Sequence, residues 1–180
     1  MTKQIALLSL DSGESVAIRA AELSDAPGLI DHVHRVAAES DFLATTPGEF
    51  EMSIEQQESY IRRMSETANA LCLVAEAGGE IVGVLTFNAG RRERVRHIGE
   101  LGISVFRDYW GQGIGQSLMT ALIDWAPSAG VTKLTLRVRS DNERAIDLYK
   151  RLGFVVEGTQ SRGLRVNGCY YTLLLMGLEL

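Results

Sequence analysis

The sequence predicts a single α/β (α+β) domain over residues 1–180, with a mixed, mostly antiparallel sheet of about seven strands and about four helices. Apolar, β-rich runs separated by glycine pairs or polar tips predict hairpins, which form antiparallel pairs. Later runs are separated by stretches of helical periodicity and predict strand–helix–strand units. The length suits one domain with a substantial core.

Two helices precede most of the predicted sheet. Pro27 suits the first turn of a helix, and Ser53 with Gln56 has the spacing of a capping box. The elements predicted for this part are a strand at 16–19, a helix from Ser24 or Asp25 to about Glu39, a loop over 40–50 and a helix from Ser53 to about Glu66.

The remaining chain alternates strands with two further helices. Gly78 and Gly79 lie between two apolar runs and predict a hairpin, and Ser140 with Glu143 again has capping-box spacing. The predicted elements are strands at 71–75, 81–87 and 97–105, a helix from 114 to 125, a strand at 133–138, a helix ending at Leu152, and a strand pair at 154–157 and 170–176 around a polar loop.

Charge and composition exclude several classes of protein. The 18 basic and 23 acidic residues give a net charge of −5, which argues against a broad nucleic-acid surface. The apolar run at 5–8 is too short to span a membrane and resembles no signal peptide, so we expect a cytoplasmic protein without a membrane partner. Cys72 and Cys169 lack partner spacing and are expected to be reduced thiols. His32 and His34 lie on different helix faces, so no metal is implied.

Three alternate glycines form the most informative motif. Residues 105–117 read V-F-R-D-Y-W-G-Q-G-I-G-Q-S and join a β-type run to an amphipathic helix through Gly111, Gly113 and Gly115. Glycines let a backbone approach a ligand closely, and the first turn of a helix offers unpaired N–H groups with a positive dipole. The junction therefore suits phosphate binding, although a plain strand-to-helix turn explains the glycines equally well.

A second motif makes the assignment more specific. The pattern W-G-Q-G-I-G, followed about thirty residues later by N-E-R-A-I-D-L-Y-K-R-L-G-F, resembles the GNAT superfamily of acyl-CoA-dependent N-acyltransferases. The Y-W-G-x-G form is similar to the branch of ribosomal-protein-alanine and small amine acetyltransferases. The resemblance implies acetyl-CoA as co-substrate, bound by backbone or side-chain groups of Ile103, Ser104, Val105, Gly111, Gln112, Gly113, Ile114, Gly115, Gln116, Ser117 and Asn142.

The chain departs from the family pattern at one position. Trp110 stands where the family has Gln or Arg, so one polar side chain is missing from the expected pyrophosphate site. Backbone binding survives this change. We expect Trp110 to pack under the loop rather than to stack on a ligand.

Two residues are candidates for catalysis. Asn142 and Tyr149 are seven positions apart on the short helix and share a face, and the resemblance places Tyr149 beside the thioester sulfur, where it would protonate the leaving thiolate. Glu100 alternates with Leu101 along its strand; it is either the general base, directly or through water, or a solvated or ion-paired strand residue. His97 is the second candidate for the base.

The acceptor side is the least specified. By resemblance, Glu39, Asp41 and Phe42 border the acceptor entrance, as does the segment 161–168, and are candidate substrate contacts. The arginine-rich run 91–96 is expected to be a solvated hairpin tip.

These features predict an N-acetyltransferase in which a primary amine attacks acetyl-CoA directly in a ternary complex, with an amino acid, a peptide N-terminus or a polyamine as acceptor. The alternative is a non-catalytic acyl-CoA-binding or interaction module with the same fold. Edge strands of such domains often pair, so a homodimer is a further hypothesis.

Overall fold

The computed structural model describes residues 4–180, and these form one eight-stranded sheet in the order β1-β2-β3-β4-β5-β6-β8-β7. All neighbouring pairs are antiparallel except β5 and β6. The elements are β1 (Gln4–Ser9), β2 (Ser15–Ala20), α1 (Ala26–Glu39), α2 (Ile54–Glu66), β3 (Ala70–Ala77), β4 (Glu80–Ala89), β5 (Ile98–Val105), α3 (Ile114–Trp125), β6 (Lys133–Arg139), α4 (Glu143–Arg151), β7 (Val155–Val166) and β8 (Cys169–Glu179).

The two layers of helices cover opposite faces of the sheet. Leu29 of α1 and Ile61 of α2 pack on Val74 and Ile81. On the other face, the larger core contains apolar side chains of α3 and α4 together with those of β3 to β6. The four predicted helices and the mixed, mostly antiparallel sheet are confirmed.

Strand β1 is the element that the sequence analysis missed. It pairs antiparallel with β2 at the edge of the sheet, and its side chains Ile5 and Leu7 are 50% and 60% exposed. An edge strand with one solvated face buries little, so its short apolar run carried too weak a signal to distinguish it from a disordered start.

The last hairpin is longer than predicted. The polar segment expected as a loop is mostly strand, and the turn is confined to Asn167 and Gly168, whose φ angles are 49° and 82°. Two central residues with positive φ make the turn that matches strand twist in a hairpin. The pairing shifts register between Gln160 and Leu164, where Arg162 has a φ of 53°. The polar residues of edge strand β7 gave this segment a composition typical of a loop, so the sequence pattern did not predict a strand there.

The N-terminal cap of α4 also differs from the predicted capping box of Ser140 and Glu143. The cap is Asn142, whose side-chain oxygen accepts a hydrogen bond from the Ala145 N–H at 3.3 Å. Asparagine is among the preferred N-cap residues, and it lies next to the first helical residue.

Strands β5 and β6 separate soon after they pair. Their parallel register has only three pairs, Ile98 with Lys133, Gly99 with Leu134 and Glu100 with Thr135. Beyond these pairs, β5 continues to Val105 and β6 continues to Arg139. The sheet therefore contains an internal split, flanked by the helices that follow each strand.

Alternation along β5 determines which backbone groups face the split. The Ile98 carbonyl accepts from Gly90 N–H, and Phe106 N–H donates to the Val82 carbonyl, so even-numbered residues direct their backbone groups to β4. The Gly99 carbonyl accepts from the Thr135 hydroxyl on β6. The N–H and C=O groups of the odd-numbered residues beyond it therefore face the split.

Gly99, the middle residue of the three that pair with β6, provides a test of this packing. A Cβ there would lie 2.4 Å from the Phe87 ring and 2.5 Å from the Asn88 carbonyl, whereas a Cβ at Gly102 would meet only the Thr86 hydroxyl, at 3.5 Å. We expect Gly99→Ala to lower the free energy of unfolding by about 2 kcal/mol or more because the buried ring must move. Gly102→Ala, the matched control on the same strand, should change it by less than about 0.5 kcal/mol. Equal effects in urea denaturation would contradict this packing.

Candidate active site

A cavity of about 570 Å³ occupies the split. Its walls come from β5 and β6, from the start of α3, from α4 and from the segment after α1. The bulged part of β7 contributes Gly163 and Leu164, which places the expected border segment on the cavity wall. The size falls within the range of small-molecule sites.

The glycine junction forms one end of this cavity. Gly111 and Gly113 have φ angles of 80° and 83°, a region that favours glycine, and Gly113 is the N-cap of α3. The Ser117 N–H already donates to the Gly113 carbonyl at 2.9 Å. The first three helical N–H groups, those of Ile114, Gly115 and Gln116, have no backbone acceptor among residues 4–180 and are available for an anion.

Two residues proposed for this cradle lie differently. Gln112 directs its side-chain amide to the Asp108 carbonyl at 3.0 Å and is not part of the cavity wall. Ser117 lies on the outer side of α3, against β1. The Gln112 side chain is thus directed away from the cavity, while its backbone N–H, for which residues 4–180 provide no acceptor, stays a candidate donor to the diphosphate.

The edge of β5 forms the middle of the cavity. By the alternation described above, Ile103 and Val105 direct their backbone groups into the split, while the backbone of Ser104 faces β4. The Val105 carbonyl is already occupied by the Trp110 indole N–H, which donates to it at 2.7 Å. Within the described part of the chain, this leaves the Ile103 N–H and C=O and the Val105 N–H without a strand partner.

Trp110 makes specific polar and cation–π contacts in addition to packing beside the loop. Its half-buried ring lies beside the junction, with the Arg144 guanidinium carbon 3.6 Å and that of Arg107 5.5 Å from the ring centroid. The ring also lines the cavity. The bond to Val105 ties the loop to the end of β5.

Tyr149 reaches the cavity from α4. The residue is only 7% exposed, packs against Phe154 at 6.0 Å between ring centroids and lines the cavity. Burial raises the pKa of its hydroxyl to about 12. No residue among 4–180 accepts from or donates to that hydroxyl, so it is free for a ligand. Asn142 also lines the cavity, although its side-chain oxygen caps α4.

Glu100 and Arg137 bridge the split at its mouth. Arg137 Nε donates to Glu100 Oε1 at 2.8 Å, and both side chains are about half exposed, at 52% and 50%. Glu100 lines the cavity on the face covered by α1 and α2, as its register opposite Asn88 requires. Of the two interpretations left open for Glu100, ion pairing is present, and the carboxylate remains accessible.

A buried histidine lies behind the same strand. His32 is 1% exposed, and its ring stacks on Phe106 at 4.7 Å. Its Nδ1 lies 3.0 Å from the Ile81 carbonyl and its Nε2 lies 2.8 Å from the Ser104 hydroxyl. Because a carbonyl only accepts, Nδ1 carries the proton and Nε2 accepts from Ser104. Sequence reasoning missed this pair, whose members lie 72 residues apart.

The acceptor contacts proposed from the sequence divide into two groups. Phe42 lines the cavity, and its ring lies 4.7 Å from the Arg139 guanidinium carbon. Asp41 and Glu39 lie outside the cavity wall. The Glu39 carboxylate accepts from the Arg107 N–H and from Arg35, each at 2.8 Å. Burial alone would raise the pKa of Glu39, but these bonds lower it, so this carboxylate ties α1 to the glycine junction.

The remaining candidates lie away from the cavity. His97 is exposed and does not line it, and the run 91–96 is an exposed tip. Within residues 4–180, no three His, Cys, Asp or Glu side chains are grouped as metal ligands would be. No helix in this range is long and apolar enough to cross a membrane.

His32 gives the structure a predicted pH dependence. Burial lowers the pKa of its imidazole from 6.5 to about 4, so between these values the unfolded chain takes up a proton that the folded chain does not. Stability should therefore be full above pH 6.5 and fall as the pH drops toward 4, by up to about 3 kcal/mol.

Urea denaturation across this pH window measures the effect. We expect His32→Asn to be less stable at pH 7 and to show a shallower pH slope, while the exposed His34→Asn control keeps the wild-type slope. An unchanged slope in His32→Asn would show that this ring is not the source of the pH dependence.

Comparison with known proteins agrees with the geometry. The chain is 33% identical over 109 residues to the L-amino acid N-acetyltransferase AaaT of Escherichia coli, covering 60% of this chain and 67% of that protein. It is 26% identical over 170 residues to the L-methionine sulfoximine/L-methionine sulfone acetyltransferase of Pseudomonas aeruginosa, covering 92% and 95%.

The fold agrees as well. A crystal structure of a GNAT-family acetyltransferase from Streptococcus pneumoniae superposes with a TM-score of 0.89 at 35% identity, covering 92% of this chain and 99% of that one. The family model described as acetyltransferase (GNAT) family matches residues 36–154, which include the glycine junction, β5, β6 and α4. This chain therefore belongs to the GNAT family of acetyltransferases.

Proposed function

We propose that the protein transfers an acetyl group from acetyl-CoA to a primary amine by direct attack in a ternary complex. One observation carries this proposal: a single cavity contains the free amides of α3, the unpaired edge of β5 and the unbonded Tyr149 hydroxyl. These three groups suit a diphosphate, an amide-containing chain and a thioester sulfur, in that order along one ligand.

The site's chemistry matches coenzyme A in each part. Three N–H groups at a helix N-terminus suit the diphosphate without a lysine. The free N–H and C=O of Ile103 can pair with an amide of the pantetheine arm as a further strand would. The Val105 and Ile103 N–H groups are the donors available to a thioester oxygen as negative charge develops on it.

The reaction requires one bond to form and one to break. The amine nitrogen bonds to the acetyl carbonyl carbon, and the carbon–sulfur bond then breaks. The amine proton passes to Glu100 or to a water it holds and from there to solvent, and the leaving thiolate takes up a proton from solvent water to give the free thiol. Because burial keeps the Tyr149 hydroxyl protonated, Tyr149 acts here as a hydrogen-bond donor to that thiolate.

The Glu100–Arg137 pair favours a small α-amino acid as acceptor. An exposed ion pair contributes at most about 1 kcal/mol, so a zwitterion can replace it at low cost, with its ammonium on Glu100 and its carboxylate on Arg137. An α-amine has a pKa near 8, against about 10 for a lysine-like amine, so a half-exposed carboxylate is a sufficient base. The activities named for the amino-acid acetyltransferases described above support the same class.

A non-catalytic acyl-CoA-binding module is the second candidate. It requires the same cavity but no function for the Tyr149 hydroxyl or Glu100. Isothermal titration with acetyl-CoA, combined with thiol release over a panel of amino acids, their amides and polyamines, separates the two. We expect binding and turnover with amino acids; binding without turnover of any amine would favour the module, and no binding would refute both.

Removing the Tyr149 hydroxyl tests its role directly. We expect Tyr149→Phe to lower kcat about 100-fold with little change in KM for acetyl-CoA, because the donor acts on charge that appears only as the bond breaks. Tyr170→Phe, at an exposed position on β8, is the matched control and should be neutral. A wild-type kcat in Tyr149→Phe would contradict the assignment.

Arg137 tests the acceptor class. We expect Arg137→Gln to raise KM for an L-amino acid about tenfold, the loss of one charged hydrogen bond, and to leave KM for the corresponding amino-acid amide unchanged. Arg165→Gln removes an equal charge from the exposed edge strand and serves as control. Parallel increases in KM for the acid and the amide would rule out carboxylate recognition by Arg137.

A further inference from the structure

We infer that Arg144, held against the face of Trp110, binds the diphosphate of coenzyme A and replaces the polar side chain missing from the glycine motif. This inference rests on the proposed function. It concerns Trp110, the residue at the glycine junction that departs from the expected pattern, and Arg144 at the start of α4.

Arg144 is a cation without a carboxylate partner in the part of the chain described here. Its guanidinium makes no ion pair or hydrogen bond within residues 4–180, although Glu143 and Asp147 are close in sequence. Its contact is the indole, at 3.6 Å from the guanidinium carbon to the ring centroid. Stacking on a ring leaves all five N–H donors of the guanidinium free at its edges.

The indole is itself fixed in position. Trp110 precedes Gly111 directly, and its N–H donates to the Val105 carbonyl at 2.7 Å. Arg107 approaches the same ring at 5.5 Å, but its side chain donates to the Glu39 carbonyl and its backbone N–H donates to the Glu39 carboxylate. Of the two arginines near the ring, only Arg144 is uncommitted.

Arg144, Trp110 and the free amides of α3 line the same cavity. The Arg144 side chain is exposed overall, and desolvation of its guanidinium lowers the pKa of Arg144. Because the planar guanidinium of Arg144 is already stacked on the indole, it loses little conformational entropy and little hydration when it binds phosphate oxygens. Together with the helix N-terminus, it concentrates positive charge at one point of a chain whose net charge is −5.

Trp110 therefore compensates for the polar side chain that the family pattern has at its position. It contributes no polar group to the phosphate, but its ring holds an arginine from another element at the junction. A lysine at position 144 would stack less well and could not bind two oxygens at once.

Three acetyl donors of decreasing length test the assignment: acetyl-CoA, acetyl-dephospho-CoA and S-acetylpantetheine, each assayed for kcat/KM with one amino acid acceptor. We expect Arg144→Gln to lower kcat/KM about tenfold for the first two donors, the loss of a charge-assisted hydrogen bond, and to leave S-acetylpantetheine unchanged. Arg144→Lys should recover only part of the loss. Lys150→Gln, which removes an equal charge from the exposed side of α4, should behave as wild type.

The other outcomes contradict the inference in different ways. A loss confined to acetyl-CoA would assign Arg144 to the 3′-phosphate, and an equal loss with S-acetylpantetheine would reveal a structural effect. No loss with any donor would leave Arg144 outside the site. In each case a wild-type protein that turns over acetyl-CoA keeps the proposed function, whereas a wild type that neither binds nor uses acetyl-CoA overturns both.

Discussion

The separation of β5 from β6 after three residue pairs is the constraint on which the rest of the structure depends. A strand in the interior of a sheet normally bonds on both sides, and unpaired backbone groups in a buried strand are costly. Here β5 keeps its antiparallel pairing with β4 along its whole length and loses its other partner over its last five residues. Those free groups, together with the cavity beside them, need a ligand or water, and the fold has placed three kinds of binding group around them.

The elements that follow the two strands determine what that ligand can be. Because β5 runs into the glycine junction, the free amides of α3 lie at one end of the split. Because β6 runs into α4, Tyr149 and Arg144 reach the split from the other wall. The Glu39 carboxylate joins α1 to Arg107, two residues after β5, and His32 joins the same helix to Ser104. Helix α1 and strand β5 are thus one connected unit.

Local patterns were sufficient for much of this arrangement. The glycines at 111 and 113 adopt the positive φ that their residue type permits, and helical spacing was enough to place Asn142 and Tyr149 at one cavity. Period-two alternation on β5 was enough to place Glu100 and Ser104 on the face opposite Leu101. These features depend on the residue and its immediate neighbours.

The features that the sequence did not reveal depend on contacts between distant residues. Nothing in the local sequence pairs His32 with Ser104, Glu100 with Arg137, or Trp110 with Arg144, since each contact exists only once the sheet has formed. Glu39 looked like an acceptor contact because it is acidic and follows a helix, but two arginines occupy it. Edge strand β1 was missed because its apolar run is short, and edge strand β7 was shortened because its solvated part carries polar residues as loops do.

Amide hydrogen exchange along β5, with and without acetyl-CoA, tests the central claim most directly. The account predicts that the N–H groups of Ile103 and Val105, which face the split, become protected when the coenzyme binds, while the Ser104 N–H, which faces β4, is protected in both states and changes little. If binding left Ile103 and Val105 unprotected, or increased the protection of Ser104 as much as that of its neighbours, the coenzyme would not pair with the free edge of β5.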